Sequence, residues 1–139
     1  MSGIGAARDG VRGFVADRSV LVVEDDPGLR EIYADVLRDE GWSVHAAEDG
    51  LEALNALRKG LQPCVALVDL RMPRMDGWTF IDELRRGGWE TVPFVVLAAH
   101  YQLRDEARRM GARWWLQKPV GIDRLLETVA AACASRDGS

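Results

Sequence analysis

The chain has no long apolar run, no Lys/Arg-rich run and no internal repeat. Each absence excludes something. A membrane-spanning helix needs about 20 consecutive apolar residues, and no stretch approaches that. Without a basic cluster there is no electrostatic footprint for direct nucleic-acid binding, and the net charge is -4. Met1 to Ala7 lacks a basic start followed by a long apolar stretch, so no signal peptide is visible and a cytoplasmic location is expected. Cysteine is scarce. Cys64 and Cys133 form neither a CxxC pair nor a disulfide framework. They are expected to be buried thiols of a cytosolic protein, one in a strand and one in a helix.

What is present suits one soluble domain. The chain has 139 residues, 47% of them apolar and 29% charged, enough for both a packed core and a solvated surface. Residues 1–17 are Gly- and Ala-rich and read as a flexible lead-in, although Val11, Phe14 and Val15 have helical spacing. The domain is expected over 18–135, with a polar tail over 136–139.

The pattern within the domain alternates. Ser19 to Val23 is an apolar run that ends in Glu24-Asp25-Asp26-Pro27. Pro27 suits the first turn of a helix. Leu29, Ile32, Tyr33, Val36 and Leu37 then mark one helix face, closed by Gly41. Trp42 to Ala47 alternates and reads as a more exposed strand, with His45 as a surface residue. Leu51, Leu54 and Leu57 mark a second helix before Gly60.

The central stretch is Val65-Ala66-Leu67-Val68-Asp69. Four apolar residues running into a carboxylate suit a strand buried on both faces. Pro73 forbids its continuation, and Asp76-Gly77 opens a third helix to Arg86, with Phe80, Ile81 and Leu84 inward. A fourth strand runs over Val92 to Leu97, followed by a helix carrying Leu103, Ala107 and Met110. A fifth spans Arg113 to Gln117, then Lys118-Pro119. The last helix carries Ile122, Leu125, Leu126, Val129, Ala130 and Cys133.

Alternating strands and helices imply a parallel sheet covered on both faces by right-handed βαβ units. The flavodoxin-like doubly wound (βα)5 arrangement, with strand order 2-1-3-4-5, sets the first and third strands side by side at the switch point. Glu24 and Asp25 would then face Asp69. Taken alone, Asp69 could equally be a residue capping its loop. Three converging carboxylates change the weighing. Like charges about 4 Å apart repel by about 1–4 kcal/mol, depending on the local dielectric. A hard divalent cation such as Mg²⁺ relieves that repulsion, because it takes carboxylate and phosphate oxygens. Lys118 can bring an ammonium to the same edge. A carboxylate flanked by a metal ion and a lysine can accept a phosphoryl group.

These segments closely resemble the receiver domain of bacterial two-component response regulators. The resemblance rests on Val22-Val23-Glu24-Asp25-Asp26-Pro27, on Val68-Asp69-Leu70-Arg71-Met72-Pro73 with Met75-Asp76-Gly77, and on Lys118-Pro119. It covers Ser19 to Ser135. It implies Asp69 as phosphoacceptor and Asp25 as a direct Mg²⁺ ligand, with Glu24 direct or through water. It further implies that the backbone carbonyl of Arg71 completes the protein ligands and that Lys118 pairs with the phosphoryl group. Lys118-Pro119 is often cis in this family. The implied partners are a sensor histidine kinase or phosphotransfer protein, and a downstream protein that docks on the face made by the fourth helix, fifth strand and fifth helix. A homodimer is also compatible. The domain is expected to be a signalling phosphoprotein and not an enzyme.

One position departs from the family pattern. Ala98 stands where Thr or Ser usually donates a hydroxyl to the phosphoryl group. The nearest hydroxyl on that strand is Thr91, at its start. A hydrogen bond to a charged group contributes about 1.5–3 kcal/mol, so the coupling to the fifth-strand aromatic, here Trp115, is expected to be weakened or rebuilt. His100 or Arg71 could stand in for the hydroxyl or modulate the phosphoryl lifetime. The plain alternative for His100 is a solvated loop residue. Trp114 and Trp115 should point to opposite faces, as packing residues or as part of a partner surface. Arg104, Arg108 and Arg109 read as a solvated helix face. Two rival functions follow. One is a pseudo-receiver acting as a phosphorylation-independent interaction module. The other is a small metal-dependent phosphatase, which lacks an obvious general acid because Asp76 is too far along its loop. A stand-alone regulator without an effector domain and a piece of a longer protein both fit this sequence.

Overall fold

A computed structural model describes residues 18–72, 74–99 and 103–135. The expected lead-in over 1–17, the tail over 136–139, Pro73 and His100 lie outside the described residues. Strands and helices alternate as β1 Ser19–Val23, α1 Pro27–Asp39, β2 Ser43–Ala47, α2 Gly50–Arg58, β3 Val65–Asp69, α3 Gly77–Arg86, β4 Phe94–Ala98, α4 Leu103–Arg109, β5 Trp114–Gln117 and α5 Ile122–Ser135. The strands are parallel and lie in the order β2-β1-β3-β4-β5, the flavodoxin-like order expected.

Strand composition follows position in the sheet. Every residue of β3 is buried, because a central parallel strand meets helices on both faces. Strand β2 lies at the edge, and Ser43 and His45 are exposed there while Ala47 is buried. Side chains alternate between two layers. Val20, Val22, Val65 and Leu67 pack with Tyr33 and Leu37 of α1 and with Leu125 and Val129 of α5. Leu21, Val23, Ala66 and Val68 pack on the other face with Leu54 of α2 and Phe80 of α3.

The helices start where an aspartate can cap them. Asp26, Asp49 and Asp76 precede α1, α2 and α3 and accept from the backbone N–H of Leu29, Glu52 and Thr79 at 3.1, 2.9 and 2.8 Å. Such a cap satisfies a donor that the first helical turn leaves unpaired. Phe80, Ile81 and Leu84 are inward as expected. Four inward assignments fail. Ile32 (54% exposed), Leu51 (40%) and Ile122 (56%) face outward. Ala34, Ala53 and Ala132 are buried on the same helices. Small alanines let each helix approach the sheet closely. Ile32 and Leu51, each two positions before a buried alanine, fall off the buried stripe, and Ile122 opens α5 on its outer side. Ala130 is also exposed, beside the buried Val129. Strands β2, β4 and β5 begin one or two residues later than the apolar pattern suggested.

The cysteine assignment is corrected outright. Cys64 and Cys133 are joined as a disulfide, with Cα atoms 5.2 Å apart and a sequence separation of 69. Cys64 sits just before β3, not within it. The doubly wound topology lays α5 across the face that β3 presents, and that brings the two sulfur atoms together.

Candidate functional site

The site is built at the carboxyl ends of β1, β3 and β5. Val23 pairs with Val68 in the parallel register, so the next residues, Glu24 and Asp69, leave the sheet side by side. Both side chains are buried, at 0% and 4% exposure. Asp25 follows and is exposed, so the cluster opens to solvent on one side. Carboxylate oxygens of Glu24, Asp25 and Asp69 lie within 4.8 Å of one another.

Lys118 arrives from the far side. Its backbone N–H donates to Ala98 O at 2.8 Å, one step beyond the β4–β5 pair Ala98 and Gln117. The Lys118–Pro119 peptide is cis. The Lys118 Nζ reaches Glu24 Oε1 at 2.9 Å and Asp69 Oδ2 at 3.2 Å. Backbone donors complete the frame. The Arg71 N–H donates to Asp69 Oδ1 at 3.3 Å, and the Asp26 N–H donates to Glu24 Oε2 at 3.2 Å. Arg30, which the sequence did not single out, reaches back from α1 and donates to the carbonyls of Glu24 and Asp25 at 2.9 and 3.3 Å.

Two buried carboxylates facing one ammonium carry excess negative charge. Burial pushes the Glu24 carboxyl up to about 7, with Lys118 opposing the rise and Asp69 adding to it. Burial also raises Asp69, against the lowering effects of Glu24, the Lys118 charge and the Arg71 N–H. Burial disfavours the Lys118 ammonium, but Glu24 and Asp69 outweigh it and hold Lys118 above the usual lysine value. Burial therefore favours a proton on the carboxylate pair, with Glu24 raised strongly. A cation relieves the excess charge equally well. Glu24 Oε1 is fully buried and meets Lys118 only as an ion pair, without the angles of a hydrogen bond. A buried oxygen short of donors, in an all-carboxylate set with one open side, fits a hard divalent cation.

The loop after Asp69 is held by close backbone approach. A Cβ on Gly77 would lie 2.7 Å from both the Asp69 carbonyl oxygen and Leu70 Cα, so only glycine lets α3 start there. Asp25, Arg71 and Trp78 line one shallow cavity beside the cluster, of about 570 Å³. Asp76 lines the same cavity but caps α3 through its carboxylate.

Ala98 is buried at 1% exposure in an apolar cluster with Leu70, Ile81, Val96 and Ala107. Its methyl group lies at the end of β4, one residue beyond Leu97, which pairs with Asp69. Trp115 packs against that same cluster and lies under the Arg104 guanidinium, 5.6 Å from its centroid. Trp114 packs on the opposite layer, with Arg113 stacked over it at 4.5 Å. Arg108 and Arg109 are exposed.

Comparison with known proteins agrees with this geometry. The sequence profile described as response regulator receiver domain matches residues 20–130. An uncharacterised 14.6 kDa protein in the sodA1 3′ region of Leptolyngbya boryana is 37% identical over 124 residues, covering 86% of this chain and 92% of that one. The sensor histidine kinase RcsC of Salmonella typhi is 37% identical over 116 residues, covering 82% of this chain but 12% of the kinase. The solved structure of the Vibrio cholerae chemotaxis protein CheY4 superimposes with a TM-score of 0.75 at 31% identity, covering 82% of this chain and 97% of that one.

Proposed function

This chain belongs to the response regulator receiver domain family of two-component signal transduction, and from that premise we propose that it accepts a phosphoryl group on Asp69. The donor would be a phosphohistidine of a sensor kinase or phosphotransfer protein. The P–N bond of the donor breaks as a bond forms between phosphorus and an Asp69 carboxylate oxygen, and the freed imidazole nitrogen keeps the electron pair. The observation that carries this reading is the Lys118 ammonium 3.2 Å from Asp69 within a three-carboxylate cluster. Lys118 is placed to pair with the charge that develops on the phosphoryl oxygens. Glu24, Asp25, Asp69 and the Arg71 carbonyl would hold Mg²⁺, which when bound offsets phosphoryl charge. Residues 18–135 form the receiver unit in this reading. The exposed Ile122 and the arginine-stacked tryptophans of β5 support a protein-contact face along α4, β5 and α5.

Ala98 favours a second reading. With a methyl group in an apolar cluster beside Asp69, the site can take up phosphate without pulling on β4, or serve as a pseudo-receiver. One experiment separates these. Mg²⁺ and then beryllofluoride are added while Trp fluorescence and backbone amide shifts are followed, with Asp69→Asn as control. Saturable changes spreading from Asp69 to Trp115 mean a working switch. Changes confined to Glu24, Asp25 and Asp69 mean phosphate uptake without signalling through β4. No change means a pseudo-receiver. Asp69→Asn should abolish phosphoryl uptake from acetyl phosphate and leave the fold intact; uptake at the wild-type level would remove Asp69 from its role.

A further inference from the structure

The loop that leaves Asp69 is tied to the β2–α2 loop by contacts that lie outside the carboxylate cluster. Asp49 is a buried carboxylate, with its side chain 2% exposed. Its Oδ1 caps α2 by accepting from Glu52 N–H at 2.9 Å. Its Oδ2 accepts a hydrogen bond from Arg74 Nη2. Glu48 lies 3.8 Å from the same guanidinium. Immediately beyond, Met75 packs on Gly50, where a Cβ would come within 2.8 Å of the Met75 sulfur. Two neighbouring residues of one loop thus engage two neighbouring residues of the other.

The backbone at this point is unusual. Arg74 has φ +64°, and it is the only non-glycine residue with positive φ among the described residues. A side chain in that region costs free energy and persists only when its surroundings hold it. Glycine would take the conformation without penalty. The chain nevertheless places a long cationic side chain here, aimed at a buried carboxylate. Asp25 lines the same cavity of about 310 Å³ as Glu48, Asp49 and Arg74, so these contacts adjoin the open side of the cluster.

We propose that Arg74 and Asp49 form a clasp that positions the loop after Asp69 and so sets the affinity of the carboxylate cluster for its divalent cation. The proposal rests on the reading of Asp69 and its neighbours as a metal and phosphoryl site. Arg74 touches no reacting atom; it is a positioning residue. The loop is tied at Asp69 by the Arg71 N–H and at Gly77 by its N–H to Leu70 O at 3.0 Å. Between those two points the clasp adds a polar restraint to the packing of Met72 and Met75 against the layer of Leu54 and Phe80. Releasing it frees the segment that carries the Arg71 carbonyl, while the sheet and both capped helices stay in place.

Two variants keep the fold. Arg74→Gly suits the positive φ and removes the whole side chain with its guanidinium. Asp49→Asn keeps the cap, since Asn caps helices as well as Asp, and removes only the charge. Hydrogen exchange of the metal-free protein and Mg²⁺ titration followed by Trp fluorescence, with Trp78 beside Asp25, are measured on each. In both variants, exchange across residues 71–76 should rise about tenfold while β1 and β3 stay protected. Mg²⁺ should bind about fivefold more weakly, less than the ~10–100-fold lost when a direct partner of a metal ligand is removed. The double variant should be no worse than either single one, because all three break one link. Unchanged exchange, or faster exchange with unchanged Mg²⁺ affinity, overturns the positioning role. A wild-type protein that binds no Mg²⁺ overturns the reading of the site itself and the positioning role with it.

Discussion

Strand β3 is buried along its whole length, yet its two ends are held by different forces. At the amino end, Cys64 is bonded to Cys133 of α5, and its N–H donates to Ser19 O at 2.9 Å. The surroundings there are Val65, Trp42 and Val129, all apolar. At the carboxyl end, Asp69 shares one ammonium with Glu24, and neither carboxylate is fully compensated. The first end is indifferent to protons and ions. The second depends on both. Strand β3 thus carries its electrostatic imbalance at the carboxyl end and its covalent anchor at the amino end.

The largest test of that contrast is the anchor. Reducing the disulfide, or Cys133→Ala, should lower unfolding free energy by about 2–5 kcal/mol, as for a native cross-link closing a long loop. Urea melts with and without dithiothreitol check this. Mg²⁺ affinity should stay at the wild-type value; if it moves as well, the two ends are coupled and the contrast fails. The charged end should respond less in stability and more in ion dependence. Lys118→Ala leaves Glu24 and Asp69 without their shared ammonium. It should cost about 2–3 kcal/mol, below the ~3–5 of a fully sequestered pair because Lys118 retains some solvent contact. Mg²⁺ should restore more stability to this variant than to the wild type, since it replaces the missing positive charge. Equal Mg²⁺ effects on the two melts would sink the idea that metal and lysine compensate the same carboxylates.

The smallest effect is the pH dependence of the metal-free protein. The Glu24 pKa is raised in the folded state, from 4.5 to about 7. Between those values the folded protein binds more protons than the unfolded chain, so stability falls as pH rises from about 4.5 to about 7. Asp69, also raised by burial, contributes in the same direction. Thermal melts across the window should show the decline, and Glu24→Gln should flatten it. Added Mg²⁺ should flatten it too, because the cation displaces the proton. A decline that survives Glu24→Gln would assign it to other groups.

Much of the site was legible because its parts are local. Glu24-Asp25, Asp69 and Lys118 each follow an apolar strand directly, and topology alone carries strand ends to one edge. The caps Asp26 and Asp76 sat beside recognisable helix starts. Asp49-Gly50 carried the same signal and marks α2, but nothing local disclosed that Asp49 meets Arg74, 25 residues away. Arg30 resembled any surface arginine of α1 until its guanidinium proved to hold the Glu24 carbonyl. Ile32, Leu51 and Ile122 were misplaced because a helical period defines a stripe but not its rotation against the sheet.

The sequence by itself determined the alternation of elements, the parallel sheet and the carboxylates and lysine at its strand ends. Those depend on apolar periodicity, turn residues and caps, which act over a few residues. Only the tertiary structure decided that Cys64 and Cys133 are bonded, which face of α1, α2 and α5 turns to the sheet, and that Arg74 reaches a buried Asp49. Those are outcomes of how layers pack, and packing joins residues whose separation in sequence leaves no local mark.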